Sequence, residues 1–220
     1  PPRSTLFPYT TLFRSAFLKE YKDKNIIFVN PIFTTHYELA LKKGLDKNSL
    51  LFIWGRKEYK EIESFAKIYD ITITRIEDGF IRSVGLGSDL TQPYSLVFDD
   101  EGIYFDPTSS SRLETILNTY NFDKDLVYEA KKLRQKILDT KISKYNTSSH
   151  IQLNLPKDKT KILVSGQVQD DASIRFGANG MTNLQLLKEV KEYNPNAYIV
   201  YKPHPDVLSG NRIGNIPKFE

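Results

Sequence analysis

The chain has 220 residues, 40% of them hydrophobic and 26% charged, with 31 Lys and Arg against 27 Asp and Glu for a formal charge of +4. That is the make-up of an ordinary globular chain long enough to bury a core, and it excludes disorder as the main state. The absence of cysteine excludes disulfides, thiol nucleophiles and cysteine-ligated metals. Basic residues are spread evenly, nine against seven acids after Pro156, whereas a nucleic-acid protein concentrates them on one face, so no nucleic-acid partner is expected. No window approaches the ~18 apolar residues of a membrane span, and no basic-then-apolar leader is visible, which makes the cytoplasm the expected compartment.

Residues 1–15, PPRSTLFPYTTLFRS, repeat Thr5-Leu6-Phe7 as Thr11-Leu12-Phe13 without helical or strand periodicity. They resemble translated adapter sequence and are set aside from the fold argument. A first domain with its linker is expected over 16–156. It opens with a short buried strand, Ile26 to Val29. A helix follows, started by a Thr35/Glu38 capping box and closed at Gly44. Leu50 to Trp54 reads as a second strand, 57–69 as a polar helix and Ile71 to Thr74 as a third strand. This alternation is the doubly wound α/β signature. Leu96 to Asp106 reads as a hairpin around Asp100-Glu101-Gly102.

Two helices come next, one capped by Ser111 with Glu114, the other over 124–144 with Leu126, Ala130, Leu133 and Ile137 on one face. The second carries seven basic and three acidic residues. That reads as a solvated helix or as a helix that touches an anionic membrane surface. Asp123-Lys124-Asp125 is read as helix capping rather than a metal motif. A linker is expected over 145–161. The α/β rhythm then restarts with strand 162–164, loop 166–180, helix 182–193 and strand 197–201. With two strands and one main helix this second unit, 157–220, is expected to be incomplete.

Four polar segments fall at predicted strand ends, where doubly wound sheets bind ligands. Gly55-Arg56-Lys57 suits an anion at a helix start, or a solvated turn. Glu77-Asp78-Gly79-Phe80-Ile81-Arg82-Ser83, with Gly85 and Gly87, suits a sugar site in which carboxylates hold hydroxyls and the guanidinium holds a carboxylate. An ion-paired loop is the alternative. Gly166-Gln167-Val168-Gln169-Asp170-Asp171 sets two adjacent acids after a strand, as nucleophile, base, metal ligand or turn cap. Lys202-Pro203-His204-Pro205 frames a histidine with prolines, suited to receiving a phosphate leaving group. A satisfied surface histidine is the alternative.

These segments, in this order, resemble the capsule polysaccharide β-Kdo transferase family of the KpsC type. The most specific stretches are EDGFIRSVGLGSDLTQPYSLVFDDEGIYFDPTS over 77–109, GQVQDDASI over 166–174 and YKPHPDVLSGNR over 201–212. The resemblance implies an α/β, GT-B-like architecture, two Rossmann-like domains facing a cleft with the second truncated. It implies transfer of Kdo with retention from CMP-Kdo to a lipid-linked Kdo acceptor of the phosphatidylglycerol type, with peripheral inner-membrane association and no metal or cofactor. Asp171 would be the nucleophile, Asp170 its reserve, and His204 with Lys202 would hold the departing CMP phosphate. Gly166 and Gln167 would lie on the donor side, and Glu77, Asp78, Arg82 and Arg56 would face the acceptor or the Kdo carboxylate. Two other readings remain, a CDP-polyol phosphotransferase and a non-catalytic sugar or lipid-head-group module.

Overall fold

Helices begin in this protein where a side chain can take the place of the missing turn. In the computed structural model, which describes residues 17, 21, 23–89, 91–147 and 152–216, the Thr35 hydroxyl accepts the Glu38 amide and the Glu38 carboxylate accepts the Thr35 amide, both at 3.1 Å. This starts α1, His36–Lys42, and Gly44 at φ 98° ends it. Residues 1–15 and His150 lie outside the described residues.

Strand β1, Leu51–Trp54, leads through α2, Lys60–Ile68, into β2, Ile73–Asp78. The two strands are parallel, with Leu51 opposite Ile73 and Trp54 opposite Ile76. Helix α2 buries Ile62, Phe65 and Ala66, the i, i+3, i+4 stripe of a helix lying on a sheet. Ile53 and Ile76 are buried from the sheet. Strand β3, Leu96–Asp99, pairs antiparallel with β2, giving the sheet order β1-β2-β3.

Helices α3, Arg112–Thr119, and α4, Lys124–Thr140, follow, capped by Ser111 and Asp123 as the sequence predicts. A second, two-stranded parallel sheet joins β4, Lys161–Ser165, to β5, Tyr198–Lys202. Between them lie α5, Ala172–Gly177, and α6, Asn183–Tyr193; α7, Pro205–Leu208, follows. Val164, Val168, Leu187 and Val207 are its buried hydrophobic residues.

Four local expectations are corrected. Residues 25–30 form no strand, and Ile27 and Phe28 are 38% and 37% exposed. An apolar run becomes a strand only when a neighbour pairs with it, and here the Phe28 carbonyl accepts the Lys43 ammonium instead. Strand β2 begins at Ile73 rather than Ile71, because the Ile71 amide is still bonded to the Ala66 carbonyl and the chain leaves α2 through Asp70 at φ 53°. The hairpin has one arm only. Asp99, 1% exposed, accepts the amides of Glu101, Gly102 and Arg112 at 2.8–3.1 Å and so turns the chain into α3 instead of back along β3. Finally, the 166–180 stretch is not all loop, since Asp171 caps α5 within it.

The two sheets meet through specific contacts. The Asn211 amide donates to Asp89 at 2.9 Å, and the Arg56 guanidinium lies 4.5 Å over the Phe176 ring. Below α4, the Lys144 carbonyl accepts the amides of Arg82 and Ser83 at 2.8 and 3.1 Å.

Candidate functional site

All four polar segments sit at the carboxyl ends of parallel strands, Gly55 after β1, Glu77 and Asp78 at the end of β2, Gly166 after β4 and His204 after β5. There the parallel ladders stop and backbone groups and side chains are free to face a ligand. Gly55, at φ 59°, turns the chain aside and leaves Glu77 Oε2 only 3.3 Å from where a β-carbon would stand.

Asp171 is held by its own helix. Its Oδ1 accepts the Ser173 amide at 3.0 Å and the Ser173 hydroxyl at 2.7 Å, while Oδ2 has no hydrogen-bond partner among the described residues. One oxygen fixes the carboxylate to the start of α5. Its charge is felt at Glu77, Tyr104 and His204, so the four groups share one neighbourhood that spans both sheets.

His204 caps α7. Its Nδ1 accepts the Asp206 amide at 3.1 Å, a bond that only an unprotonated nitrogen can accept, so the ring proton sits on Nε2. Burial lowers the His204 pKa, Lys144 and Lys202 lower it further, and the Asp206 and Asp171 carboxylates oppose them. Asp206 Oδ2 is 3.9 Å from Nδ1, too long to compete with the amide. Burial and the Asp206 amide both favour the uncharged Nε2–H form of His204. Exposed Lys202 and nearby Lys144 supply the positive charge.

Glu77 is the carboxyl of the site whose pKa is raised. Burial raises its pKa, the Asp78 and Asp171 charges add to that, and the Asp78 amide and Lys144 only partly offset it. Asp78 holds Arg82 at 2.7 Å through Oδ2, and its Oδ1 is buried without a hydrogen-bond partner among the described residues. A buried carboxylate oxygen left unpaired calls for a donor, and a ligand hydroxyl is one.

The two arginines are held by groups of the protein itself. Arg82 is 3% exposed and gives its guanidinium to Asp78, the Ser83 hydroxyl and the Thr91 carbonyl. This is the ion-paired loop foreseen as the alternative. Arg56 is engaged by Glu58, Asp106 and the Thr108 hydroxyl. Two carboxylates already neutralise it, so no anion is needed there. It borders a polar groove of about 380 Å³ with Arg75, Glu63 and Asp106, to which neither Asp171 nor His204 contributes. Asp170 lies at the surface, paired with Arg212 at 2.9 Å, which holds its carboxyl below the usual range.

Gly166 is tightly packed, since a β-carbon there would run into the Tyr201 hydroxyl. Gln167 is clamped by Asn183, whose side chain accepts the Gln167 amide at 2.9 Å and donates to the Gln167 and Gly214 carbonyls at 2.8 and 3.0 Å. This buried amide holds the segment that carries Asp171. Sequence reasoning missed it, together with Lys144, Tyr104 and Tyr145. Burial first, then neighbouring carboxylates, push both tyrosine hydroxyls up to about 12, and the Tyr145 ring meets His204 edge-on at 6.5 Å. The one available signal was that Tyr104 lies inside the 77–109 motif.

A family model described as capsule polysaccharide biosynthesis protein matches residues 50–135 and 119–218. The chain belongs to this family. It is 52% identical over 173 residues to the capsule polysaccharide modification protein LipA of Neisseria meningitidis serogroup A, covering 78% of this chain and 24% of that protein. The lipopolysaccharide-processing protein LpsZ of Rhizobium meliloti is 40% identical over 72% of this chain and 37% of its own length. The chain thus spans 24% to 37% of the length of these curated relatives. Among solved structures, the β-Kdo 2,4 transferase of Thermosulfurimonas dismutans KpsC superposes with a TM-score of 0.67 at 34% identity, over 74% of this chain and 52% of that one. The β-Kdo 2,7 transferase of the same KpsC gives 0.53 at 39% identity, over 77% and 51%. The mixed α/β fold of this capsule-family chain is thus similar to that part of the KpsC Kdo transferases which it covers.

Proposed function

We propose that this chain is part of a retaining β-Kdo transferase of capsule polysaccharide synthesis, with CMP-Kdo as donor and a lipid-linked Kdo as acceptor. Residues 16–156 make the acceptor side of a GT-B arrangement and 157–220 begin the nucleotide-sugar side, at the cytoplasmic face of the inner membrane. The observation that carries the reading is the shared neighbourhood of Asp171, His204 and Glu77, contributed by two sheets.

Retention follows from two inversions. Asp171 Oδ2 attacks the anomeric carbon of Kdo, forming an ester as the bond to the phosphate oxygen breaks, and CMP leaves with the electron pair. His204 Nε2–H donates a hydrogen bond to the departing phosphate while Lys202 and Lys144 offset its charge. The acceptor hydroxyl then attacks the same carbon and the ester breaks, returning the carboxylate. Glu77, whose raised pKa suits a proton carrier, takes the hydroxyl proton, and Asp78 Oδ1 accepts a hydrogen bond from a sugar hydroxyl.

Mass spectrometry after incubation with CMP-Kdo tests this. A Kdo-sized increment on the peptide containing Asp171, absent in Asp171→Ala, is expected. Turnover that survives Asp171→Ala overturns the mechanism and favours a phosphotransferase. Donor binding without release of CMP favours a non-catalytic module.

A further inference from the structure

Asn183 is a buried polar residue that its own helix does not need. Thr182 already caps α6: its hydroxyl accepts the Gln185 amide at 3.2 Å, and the Gln185 side chain accepts the Thr182 amide at 2.9 Å. A side chain at the next position adds nothing to that box, yet Asn183 is only 9% exposed. Its side-chain hydrogen bonds go to other segments. The oxygen accepts the Gln167 amide at 2.9 Å, and the nitrogen donates to the Gln167 and Gly214 carbonyls at 2.8 and 3.0 Å. The Gln167 amide can donate only to the oxygen, so the orientation of the carboxamide is fixed and both of its N–H groups are spent on the two carbonyls.

The ladder of the second sheet ends just before this clamp, where the Gly166 amide donates to the Lys202 carbonyl at 2.8 Å. Beyond it the Asn183 carboxamide stands in for a strand partner, pairing with both backbone groups of Gln167 as a facing residue would. Gly214 permits the close approach, since at φ 148° a β-carbon there would stand 2.7 Å from the Gln167 carbonyl oxygen. Each of the tied backbones leads to one group of the candidate site. On one side, the Gln169 amide donates to the Ile213 carbonyl at 2.9 Å and the Asp171 amide to the Val168 carbonyl at 3.1 Å, which carries the constraint on to Asp171. On the other, the Asp206 carbonyl accepts the Asn211 and Arg212 amides at 3.1 and 3.0 Å and Val207 is buried, so 204–214 are held as one piece with His204 at its head.

We propose that Asn183 is a positioning residue of the site, whose carboxamide sets Asp171 and His204 at a fixed separation. Its consequence for rate rests on the transferase reading. There the two groups act at opposite ends of one breaking bond, the carboxylate at the anomeric carbon and the imidazole at the departing phosphate. A displacement of about 1 Å between them costs on the order of 100-fold in rate. Binding of the donor, which is not yet on its way to the transition state, is far less sensitive to that separation.

Two measurements on the whole chain test the proposal, one of them without sugar. In amide hydrogen exchange, Asn183→Ala should speed the amides of 167–171 and of 206–214 together, by about tenfold or more, and leave those of β1–β3 unchanged. Thr182→Ala loosens the start of α6 but keeps the carboxamide, and should leave both segments as in the parent. In single-turnover reaction with CMP-Kdo, Asn183→Ala should form the Asp171 adduct about 100-fold more slowly at saturating donor, with the half-saturating concentration changed by less than about threefold. Thr182→Ala should react at the parent rate. Asn183→Asp keeps the shape and the bond from the Gln167 amide but, when ionised, loses both donations. It should show the same losses, and it replaces the alanine variant if that does not fold. Exchange that rises in only one segment, or in neither, overturns the proposal whatever the turnover. So does an unchanged adduct rate in Asn183→Ala, a rate loss shared by Thr182→Ala, or a change confined to the half-saturating concentration. A parent chain that forms no adduct counts against the transferase reading, and the exchange result alone then decides the clamp.

Discussion

At Glu77 burial and two neighbouring carboxylates favour the protonated form of the folded protein. The folded pKa lies above the unfolded one, so this group's contribution to stability is fully present below the unfolded value and is lost as pH rises through the folded value. Glu77→Gln keeps the shape of the neutral acid and removes that loss. The variant should match the parent in melting temperature near pH 4 and exceed it by a few degrees near pH 8, while transfer activity falls about 100-fold for want of a proton carrier. Melting curves across pH, with a transfer assay, check both. His204 has the opposite sign. Its depressed pKa means that protonation is resisted in the folded state, so its stabilising share is present above the ordinary histidine value and is lost as pH falls through the folded value. Because protonation also breaks the Asp206 amide bond, the acid limb of the pH–rate profile should report His204. In His204→Gln, a neutral donor, that limb should flatten while the rate at neutral pH falls about 10- to 100-fold. A rate that instead declines as pH rises through 7 would mean that a charged imidazole is required.

Helix starts were legible because they are local. Thr35 with Glu38, Ser111 with Glu114, Asp123 and Thr182 with Gln185 each satisfy amides within three residues. Strands were legible only where a partner exists. Residues 26–29 and 103–106 carry strand-like side chains, yet the first has no ladder and the second is diverted by Asp99. The site divides in the same way. Asp171 and His204 announce themselves through motifs, whereas Asn183 and Lys144 act on residues far away in sequence, and no periodicity reports that. The fate of Arg82 was equally hidden, since its choice between a ligand and Asp78 depends on the 91–94 segment folding back over it. Asp99 gives the element-scale prediction. Removing a buried acceptor of three amides leaves a cavity and breaks the turn's hydrogen bonds at once, so Asp99→Ala should cost about 3 kcal/mol. Urea unfolding measures it, and a loss below about 1 kcal/mol would show that the turn into α3 holds itself.

At the scale of the whole molecule, the contacts between the two sheets include the Asn211–Asp89 hydrogen bond, the Tyr145–His204 ring contact and the Arg56–Phe176 stack. Arg56 is central to that join. It leaves the end of β1, binds Glu58 and Asp106 on its own side, and lies over Phe176 of α5, the helix that Asp171 caps. The stack therefore links the first sheet to the segment that carries the proposed nucleophile. A cation–π contact of this kind contributes about 0.5–2 kcal/mol, small against the stability of either sheet. Phe176→Ala should accordingly leave the circular dichroism spectrum unchanged and lower the unfolding free energy by no more than about 2 kcal/mol. Transfer should nevertheless fall about tenfold or more, because a carboxylate displaced by an ångström no longer meets the anomeric carbon in line. Phe176→Trp, which restores a ring under the guanidinium, should recover most of the rate. Loss of rate in the alanine variant that tryptophan does not rescue would point to packing inside α5, and an unchanged rate in the alanine variant would remove the stack from the mechanism.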